Sequence, residues 1–215
     1  MCNPGNLKRV KKLLAEVYLS SLLTALTFDD VVITDNFNRK KLGQTWVADP
    51  EYAIVNNELK NTASASSWGY LAVYAGQINP GTVSIRWSAT AEAASIRQGG
   101  LALRLDAAKT NASGYLAYID SDNHLQLWTI VNGGLGYQVE SLVSAIAAPL
   151  PGEVFRVALS SDGAGHHFDF YLNDQFAGRL RDGAKNECNG SCLYAVVFLR
   201  GNLNNDVDDL VLGKD

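Results

Sequence analysis

The sequence predicts an all-β fold, a β-sandwich with one helix in front of it. Three observations support this prediction. Apolar and polar residues alternate with a period of two over many short segments, which is typical of strands with one buried face. Turn-forming residues, including 19 glycines, separate these segments. The 215 residues suffice for one sandwich with a full hydrophobic core.

The clearest strand pattern lies within residues 155–180. Two runs place apolar residues at every second position: Phe155, Val157, Leu159 and then Phe168, Phe170, Leu172. A glycine-rich joint separates the two runs, and Asn173-Asp174 follows the second. Asn and Asp tolerate left-handed backbone conformations, so this pair fits a tight hairpin turn. The segment therefore predicts three antiparallel strands that need further strands and a second layer to be stable.

Residues 1–28 differ from the rest of the chain. Leu7, Val10, Leu14 and Val17 recur at helical spacing, and the basic residues lie mostly off that stripe. We predict an amphipathic helix over 1–28 and a separate sandwich domain over 29–215. The helix either packs on its own domain or docks on a neighbouring subunit, and we carry forward the second hypothesis. A membrane span is disfavoured because the uncharged run from Val17 to Phe28 is too short.

Several motifs occur in a characteristic order along residues 29–215. The first are Asp35-Asn36-Phe37-Asn38-Arg39, Leu42-Gly43, Trp46 and Asn56-Asn57-Glu58-Leu59, followed by residues 100–106, 114–118, 125–128 and 207–212. This order resembles the concanavalin A-like (laminin-G-like) jelly-roll domains of bacterial secreted proteins and of bacteriophage tail and virion proteins. The resemblance implies a jelly roll of two antiparallel sheets, whose last strand pairs near the first. It implies a fold more than an activity.

The sequence argues against several classes of function. The formal net charge of −4 gives no support for a nucleic-acid partner, which requires a basic surface. Glycosidases need two carboxylates on one face. The hydrolase branch of the resembling family carries them as Glu-x-Asp-x-x-Glu on one strand, and this chain lacks that run. His167 and Tyr171 share a strand face with Asp169, which leaves a glycosidase or a polysaccharide lyase as a less favoured alternative. We predict a protein that is not an enzyme.

A carbohydrate-binding surface is the main alternative among ligand sites. Sugar recognition combines an aromatic platform with planar hydrogen-bonding side chains. The residues expected on outward strand faces or in an exposed loop that suit this role are Trp68, Arg86, Arg104, His167, Asp169 and Tyr171. For each of them, a solvated or packed structural residue is the favoured interpretation. Strand order decides whether they converge.

The cysteines and acidic residues give weaker signals. Cys188 and Cys192 are close enough in sequence for a local disulfide, although two free thiols fit as well. Their spacing does not match a zinc knuckle, and we predict no metal centre. The resemblance implies one further alternative, a structural Ca²⁺. Its candidate donors are Asp35, Asp206, Asp208 and Asp209, which otherwise serve as acidic residues at strand ends.

These observations lead to a ranked functional prediction. The favoured function is a non-enzymatic structural or adhesive module of a larger assembly, such as a phage virion or tail component. Its partners would be other subunits, contacted through the helix, and its location the virion or the extracellular space. The alternative is a lectin-like carbohydrate-binding module that contacts surface glycans.

Overall fold

The computed structural model describes residues 31–63, 72–74, 80–88, 99–105, 113–132, 134–184, 194–199 and 206–214. Within these ranges the chain forms fifteen β-strands and no helix. The strands are β1 (Val31–Asp35), β2 (Trp46–Ala48), β3 (Tyr52–Val55), β4 (Glu58–Asn61), β5 (Ala72–Tyr74), β6 (Pro80–Trp87), β7 (Gly99–Leu105), β8 (Gly114–Ile119), β9 (Leu125–Val131), β10 (Gly134–Ser141), β11 (Val154–Asp162), β12 (Gly165–Leu172), β13 (Gln175–Asp182), β14 (Tyr194–Leu199) and β15 (Val207–Lys214).

The strands form two antiparallel sheets, as the sequence predicts. The eight-stranded sheet has the order β13-β12-β11-β6-β15-β4-β3, and β1 also pairs with β15. The seven-stranded sheet has the order β10-β9-β8-β7-β14-β5-β2. The helix predicted for residues 1–28 lies outside the described residues. In the part of the chain that the structure covers, we found no helix long and apolar enough to cross a membrane.

The hydrophobic core lies between the two sheets and is rich in aromatic side chains. Phe168 and Phe170 of β12 are completely buried, as the period-two pattern predicts. Tyr115 of β8 packs edge-on against Phe168, with 4.9 Å between the ring centroids. Phe155 of β11 contacts Phe170 at a centroid distance of 6.0 Å. Because Tyr115 and Phe168 belong to different sheets, their contact joins the two layers, whereas Phe155 and Phe170 pack side by side within the eight-stranded sheet.

The strand connections predicted from turn residues are confirmed. β11 and β12 pair in continuous register from Phe155 with Leu172 to Asp162 with Gly165. Asn173 and Asp174 have φ angles of 49° and 60°, the left-handed values of a tight hairpin turn between β12 and β13. The last strand, β15, pairs with the first, as the resemblance implies.

Two polar contacts connect the two sheets on the side of the sandwich where β13 and β10 lie. The Tyr115 hydroxyl on β8 donates a 2.6 Å hydrogen bond to the buried carboxylate of Asp182 on β13. The backbone N–H of Arg181 on β13 donates to the carboxylate of Glu140 on β10. β13 and β10 each lie at one edge of their sheet. Both contacts therefore connect the eight-stranded sheet to the seven-stranded sheet beyond the apolar core.

Candidate functional site

Four of the six predicted sugar-binding residues lie on one surface. β12 turns Phe168 and Phe170 into the core, so His167, Asp169 and Tyr171 point outward from the eight-stranded sheet. The backbone register places further charged and aromatic side chains beside them on β6, β11 and β13. We call this surface the polar face, defined by Arg86, Arg156, His167, Asp169, Tyr171, Phe176 and Arg179.

Aromatic side chains occupy the middle of the polar face. The Arg156 guanidinium carbon lies 3.8 Å from the centroid of the Tyr171 ring, a close cation–π contact. On the other side, the rings of Tyr171 and Phe176 meet edge-on with 5.8 Å between centroids. Phe176 is 60% exposed, so much of its ring surface is accessible to solvent. Arg156 also forms an ion pair of 3.3 Å with Asp174. The result is an ordered aromatic pair with one open ring.

A bidentate ion pair between Arg179 and Asp169 flanks the aromatic pair. Arg179 on β13 donates from Nε and Nη2 to the two carboxylate oxygens of Asp169, at 2.5 and 2.6 Å. This hydrogen bonding to Asp169 raises the pKa of Arg179 above its ordinary value. Asp169 is thereby fixed as an acceptor and held in one orientation. Both residues present planar hydrogen-bonding groups beside the exposed ring of Phe176.

His167 lies at one end of the polar face and is engaged with an acidic partner. Its Nε2 atom lies 3.1 Å from a carboxylate oxygen of Asp162. The pKa of Asp162 is lowered, first by the hydrogen bond from the Ala164 N–H and second by His167. His167 and Tyr171 are four residues apart on one strand, which corresponds to about 13 Å. A lyase needs its base and acid within hydrogen-bonding reach of one sugar, so this arrangement does not favour that activity.

The other end of the polar face is acidic. Arg86 on β6 pairs with Asp209 on β15 at 2.9 Å, and both side chains are well exposed. A bulge in β15 places Asp208 beside Asp209. Burial raises the pKa of Asp208, and the negative charges of Asp209 and Glu58 raise it further.

The candidate calcium donors do not meet at one point. Asp206 accepts a 3.0 Å hydrogen bond from Lys60, and Asp209 is paired with Arg86. Asp35 lies on β1 and binds Arg39. Among the residues that the structure describes, no three His, Cys, Asp or Glu side chains are arranged to hold a metal ion. The hypothesis of a structural Ca²⁺ therefore has no support from these residues.

Asp35 instead organises the loop after β1. Its carboxylate accepts hydrogen bonds from the Phe37 N–H at 2.9 Å, from both Arg39 terminal nitrogens at 2.7 and 2.6 Å, and from the Trp46 indole at 2.7 Å. Burial alone would raise the pKa of Asp35, but these hydrogen bonds and the Arg39 charge hold the pKa below its ordinary value.

An open cleft of about 410 Å³ lies beside this carboxylate, lined by Ile33, Thr34, Asp35, Asn36, Arg39, Thr45 and Tyr74. Asp35 and Arg39, the charged groups of its lining, bind each other at 2.6 Å. The charges of the two charged lining residues therefore offset each other.

The remaining predicted site residues are placed elsewhere or lie outside the described residues. Arg104 is on β7 of the seven-stranded sheet and cannot join the polar face. Asp169 has Arg179 of β13 as its partner. The residues outside the described ranges are Trp68, Cys188, Cys192 and the helix positions Leu7, Val10, Leu14 and Val17.

Sequence analysis missed Arg156, Phe176 and Arg179 as members of the polar face. Arg156 alternates with the buried Phe155 and Val157 in β11, so its outward position could have been predicted from the sequence. β13 was harder, because its register shifts between Phe170 and Tyr171 of the neighbouring strand. That irregularity brings Phe176 opposite Tyr171, and no local sequence signal marks it.

Comparison with known proteins defines the class of fold. The structure resembles laminarinase from Flavobacterium sp. UMI-01, with a TM-score of 0.55, 9% identity, and coverage of 86% of this chain and 100% of that chain. It also resembles a legume lectin-like domain from Entamoeba histolytica, with a TM-score of 0.52, 11% identity, and coverage of 86% and 98%. No protein-family model and no curated protein matches the sequence.

The chain therefore has the concanavalin A-like jelly-roll fold, as the resemblance implied. One of these two structures is named as an enzyme and the other as a lectin-like domain, so the fold accommodates both classes. Neither similarity bears on a phage or virion role, and the assembly hypothesis stays a prediction.

Proposed function

We propose that this protein is a carbohydrate-binding module and that the polar face is its binding surface. The observation that carries the proposal is the exposed Phe176 ring, held edge-on against Tyr171 and bordered by the Arg179–Asp169 ion pair. An aromatic ring offers a flat apolar surface to the C–H face of a sugar. Guanidinium and carboxylate groups offer donors and acceptors to its hydroxyl groups.

The charge pattern of the polar face favours neutral sugars. Arg86, Arg156 and Arg179 each have an aspartate partner, and His167 has Asp162. Because these three guanidinium groups are paired with carboxylates, they do not form an uncompensated basic patch that would select a sulfated or acidic glycan. The proposal includes an extracellular location, where such glycans are encountered.

A glycan array followed by calorimetry tests the proposal. We expect the wild-type protein to bind a subset of neutral glycans, and Phe176→Ala to weaken binding about tenfold, the loss of roughly 1.4 kcal/mol of stacking. Tyr137→Ala is the matched control, because Tyr137 is a 50% exposed aromatic residue on β10 of the other sheet. We expect this control variant to bind as the wild type does.

Two outcomes would contradict the proposal. The first is the absence of binding across a broad glycan array. The second is an equal effect of Phe176→Ala and Tyr137→Ala on a glycan that does bind. The bound glycan is also incubated with the protein and its products are analysed. Release of shorter sugars would show that the module is an enzyme, which the proposal does not predict.

A further inference from the structure

The cleft beside Asp35 is separate from the polar face. Its lining comes from β1 of the eight-stranded sheet, from the loop after β1, and from Tyr74 on β5 of the seven-stranded sheet. β1 pairs with β15 and lies four strands from β12, which corresponds to about 19 Å. The cleft volume of about 410 Å³ is within the range of small-molecule sites, about 300–1,000 Å³. The cleft is therefore large enough to be a binding site of its own.

Several polar groups of the cleft lining are available to a ligand. In the part of the chain that the structure describes, the hydroxyl groups of Thr34, Thr45 and Tyr74 have no hydrogen-bond partner. Asn36 accepts a hydrogen bond from the Asn38 N–H with its side-chain oxygen, and its side-chain nitrogen has no partner among the same residues. Thr34, Asn36 and Thr45 are exposed. The hydroxyl groups can donate and accept hydrogen bonds, and the amide nitrogen can donate.

Arg39 adds further donors in a fixed orientation. A guanidinium group carries five N–H donors. Nε of Arg39 donates to the Lys41 carbonyl at 3.0 Å, and each terminal nitrogen donates to one carboxylate oxygen of Asp35. One N–H on each terminal nitrogen therefore remains for a ligand. Because the Asp35 charge offsets that of Arg39, an anion gains little from binding here, and the donors suit a neutral ligand.

The hydrogen bonds of Asp35 hold the cleft in one arrangement. Its carboxylate joins the Phe37 N–H, the Arg39 guanidinium and the Trp46 indole. Trp46 in turn meets the Tyr74 ring edge-on, with 5.8 Å between centroids. Phe37 has a left-handed φ of 51°, and such strained backbone conformations cluster at ligand-binding sites. A preformed site loses little conformational freedom when a ligand binds, so this network favours binding.

We propose that the cleft binds a small neutral polyol, a polyhydroxylated molecule of the size of a monosaccharide or disaccharide. The hydroxyl, amide and guanidinium groups of the lining match the hydroxyl groups of such a ligand. Tyr74 and Ile33 supply apolar surface for its C–H groups. The offset charges of Asp35 and Arg39 disfavour carboxylate and phosphate ligands. This binding does not depend on glycan binding by the polar face.

NMR titration of the isotope-labelled full-length protein tests the proposal. The reporter is the Trp46 indole N–H, because it donates to Asp35 and the Trp46 ring contacts Tyr74. Its resonance in a proton–nitrogen correlation spectrum is identified by its loss in Trp46→Phe. The neutral probes are myo-inositol, D-glucose, D-galactose and trehalose, and the charged probes are D-glucuronate and D-glucosamine. We expect a saturable shift of the Trp46 resonance with a neutral probe and none with a charged probe.

Two threonine substitutions connect the shift to the cleft. Thr34→Val and Thr45→Val, combined in one protein, remove two hydroxyl groups and keep the branched side-chain shape. We expect this double variant to bind the neutral probe about tenfold more weakly. Thr82→Val is the matched control, because Thr82 lies on β6 and outside the cleft lining. If the double variant loses the dispersed spectrum of a folded protein, Thr45→Val alone is measured, since Thr45 is exposed.

The opposing outcomes are distinct. If no neutral probe produces a saturable shift of the Trp46 resonance, the proposal is wrong. A stronger response to D-glucuronate than to every neutral probe would also overturn it. Equal weakening by the double variant and by Thr82→Val would reject binding in the cleft. If Phe176→Ala abolishes the shift and the double variant does not, the probe binds the polar face, and the proposed function stands while the cleft proposal fails.

Discussion

The Asp35 carboxylate supports a stability prediction that can be worked out atom by atom. Asp35→Asn keeps the size of the side chain but replaces one acceptor oxygen with an NH₂ donor. Oδ2 of Asp35 accepts from Arg39 at 2.6 Å and from Trp46 at 2.7 Å. If the amide nitrogen takes the place of Oδ2, both of these hydrogen bonds are lost, because two donors then face a donor. The hydrogen bonds to Oδ1 are retained.

The expected cost is about 2–3 kcal/mol of unfolding free energy, from about 1–1.5 kcal/mol for each lost hydrogen bond. This value is set below the range for hydrogen bonds to charged groups, about 1.5–3 kcal/mol, because Arg39 keeps 32% of its side chain exposed. The retained hydrogen bonds include the one from the N–H of Phe37, which is completely buried and has a left-handed φ of 51°. The hydrogen bond from its N–H to Asp35 helps to hold this unfavourable conformation.

Urea unfolding followed by circular dichroism measures this cost. Asp209→Asn is the control, because it removes an aspartate–arginine pair in which the side chains are 38% and 46% exposed. We expect the control to change the unfolding free energy by about 0.5 kcal/mol or less. An Asp35→Asn cost below about 1 kcal/mol, or one equal to that of the control, would refute the reasoning.

The same carboxylate contributes to acid sensitivity. Its folded-state pKa is depressed, so its stabilising effect is complete above the unfolded pKa of about 3.9 and is lost as the pH falls through the folded value. The wild type should therefore lose stability in acid more steeply than Asp35→Asn. Unfolding free energies measured between about pH 6 and pH 2.5 in both proteins test this sign. Parallel pH profiles would contradict it.

Three further substitutions test other parts of the sandwich. Tyr115→Phe removes the donor to the buried Asp182 carboxylate and should cost about 1–3 kcal/mol in urea unfolding, and an unchanged midpoint would contradict this role of the inter-sheet hydrogen bond. Gly165→Ala should destabilise strongly, because φ is 144° and the added Cβ would meet the backbone carbonyl of Asp182. Gly178→Ala should cost less, because its Cβ would meet the end of the flexible Leu142 side chain, and thermal unfolding of both variants tests this order.

Local sequence patterns were sufficient for the strands that carry the polar face. β11 and β12 alternate cleanly, and the turn at Asn173-Asp174 has the backbone conformation that these residue types favour. Period-two alternation also assigned Tyr171 to the outer face without any knowledge of its neighbours. These features depend on residues close in sequence, so sequence alone predicts them.

Contacts between distant residues were not predictable in the same way. The outward positions of β7 and β12 look alike in sequence, yet the strand order puts Arg104 and Asp169 in different sheets. The roles of Asp35 and Asp182 also depend on the fold. In the sequence, Asp35 was notable only as the first residue of the motif that ends at Arg39. Its hydrogen-bond partner Trp46 lies eleven residues away. Asp182 is bonded to Tyr115, 67 residues earlier in the chain. Long-range pairing of this kind needs the three-dimensional structure.

The contact between Arg181 and Glu140 has a consequence for how this protein meets other molecules. An edge strand exposes backbone N–H and C=O groups that can recruit a strand from another chain and extend the sheet. On β13 the Arg181 N–H is already satisfied by the Glu140 carboxylate. A strand from another chain that paired with β13 at this position would have to displace the Glu140 side chain. Extension of the sheet by another chain along β13 is thereby disfavoured. Contacts with other molecules are then left to the side chains on the faces of the sheets.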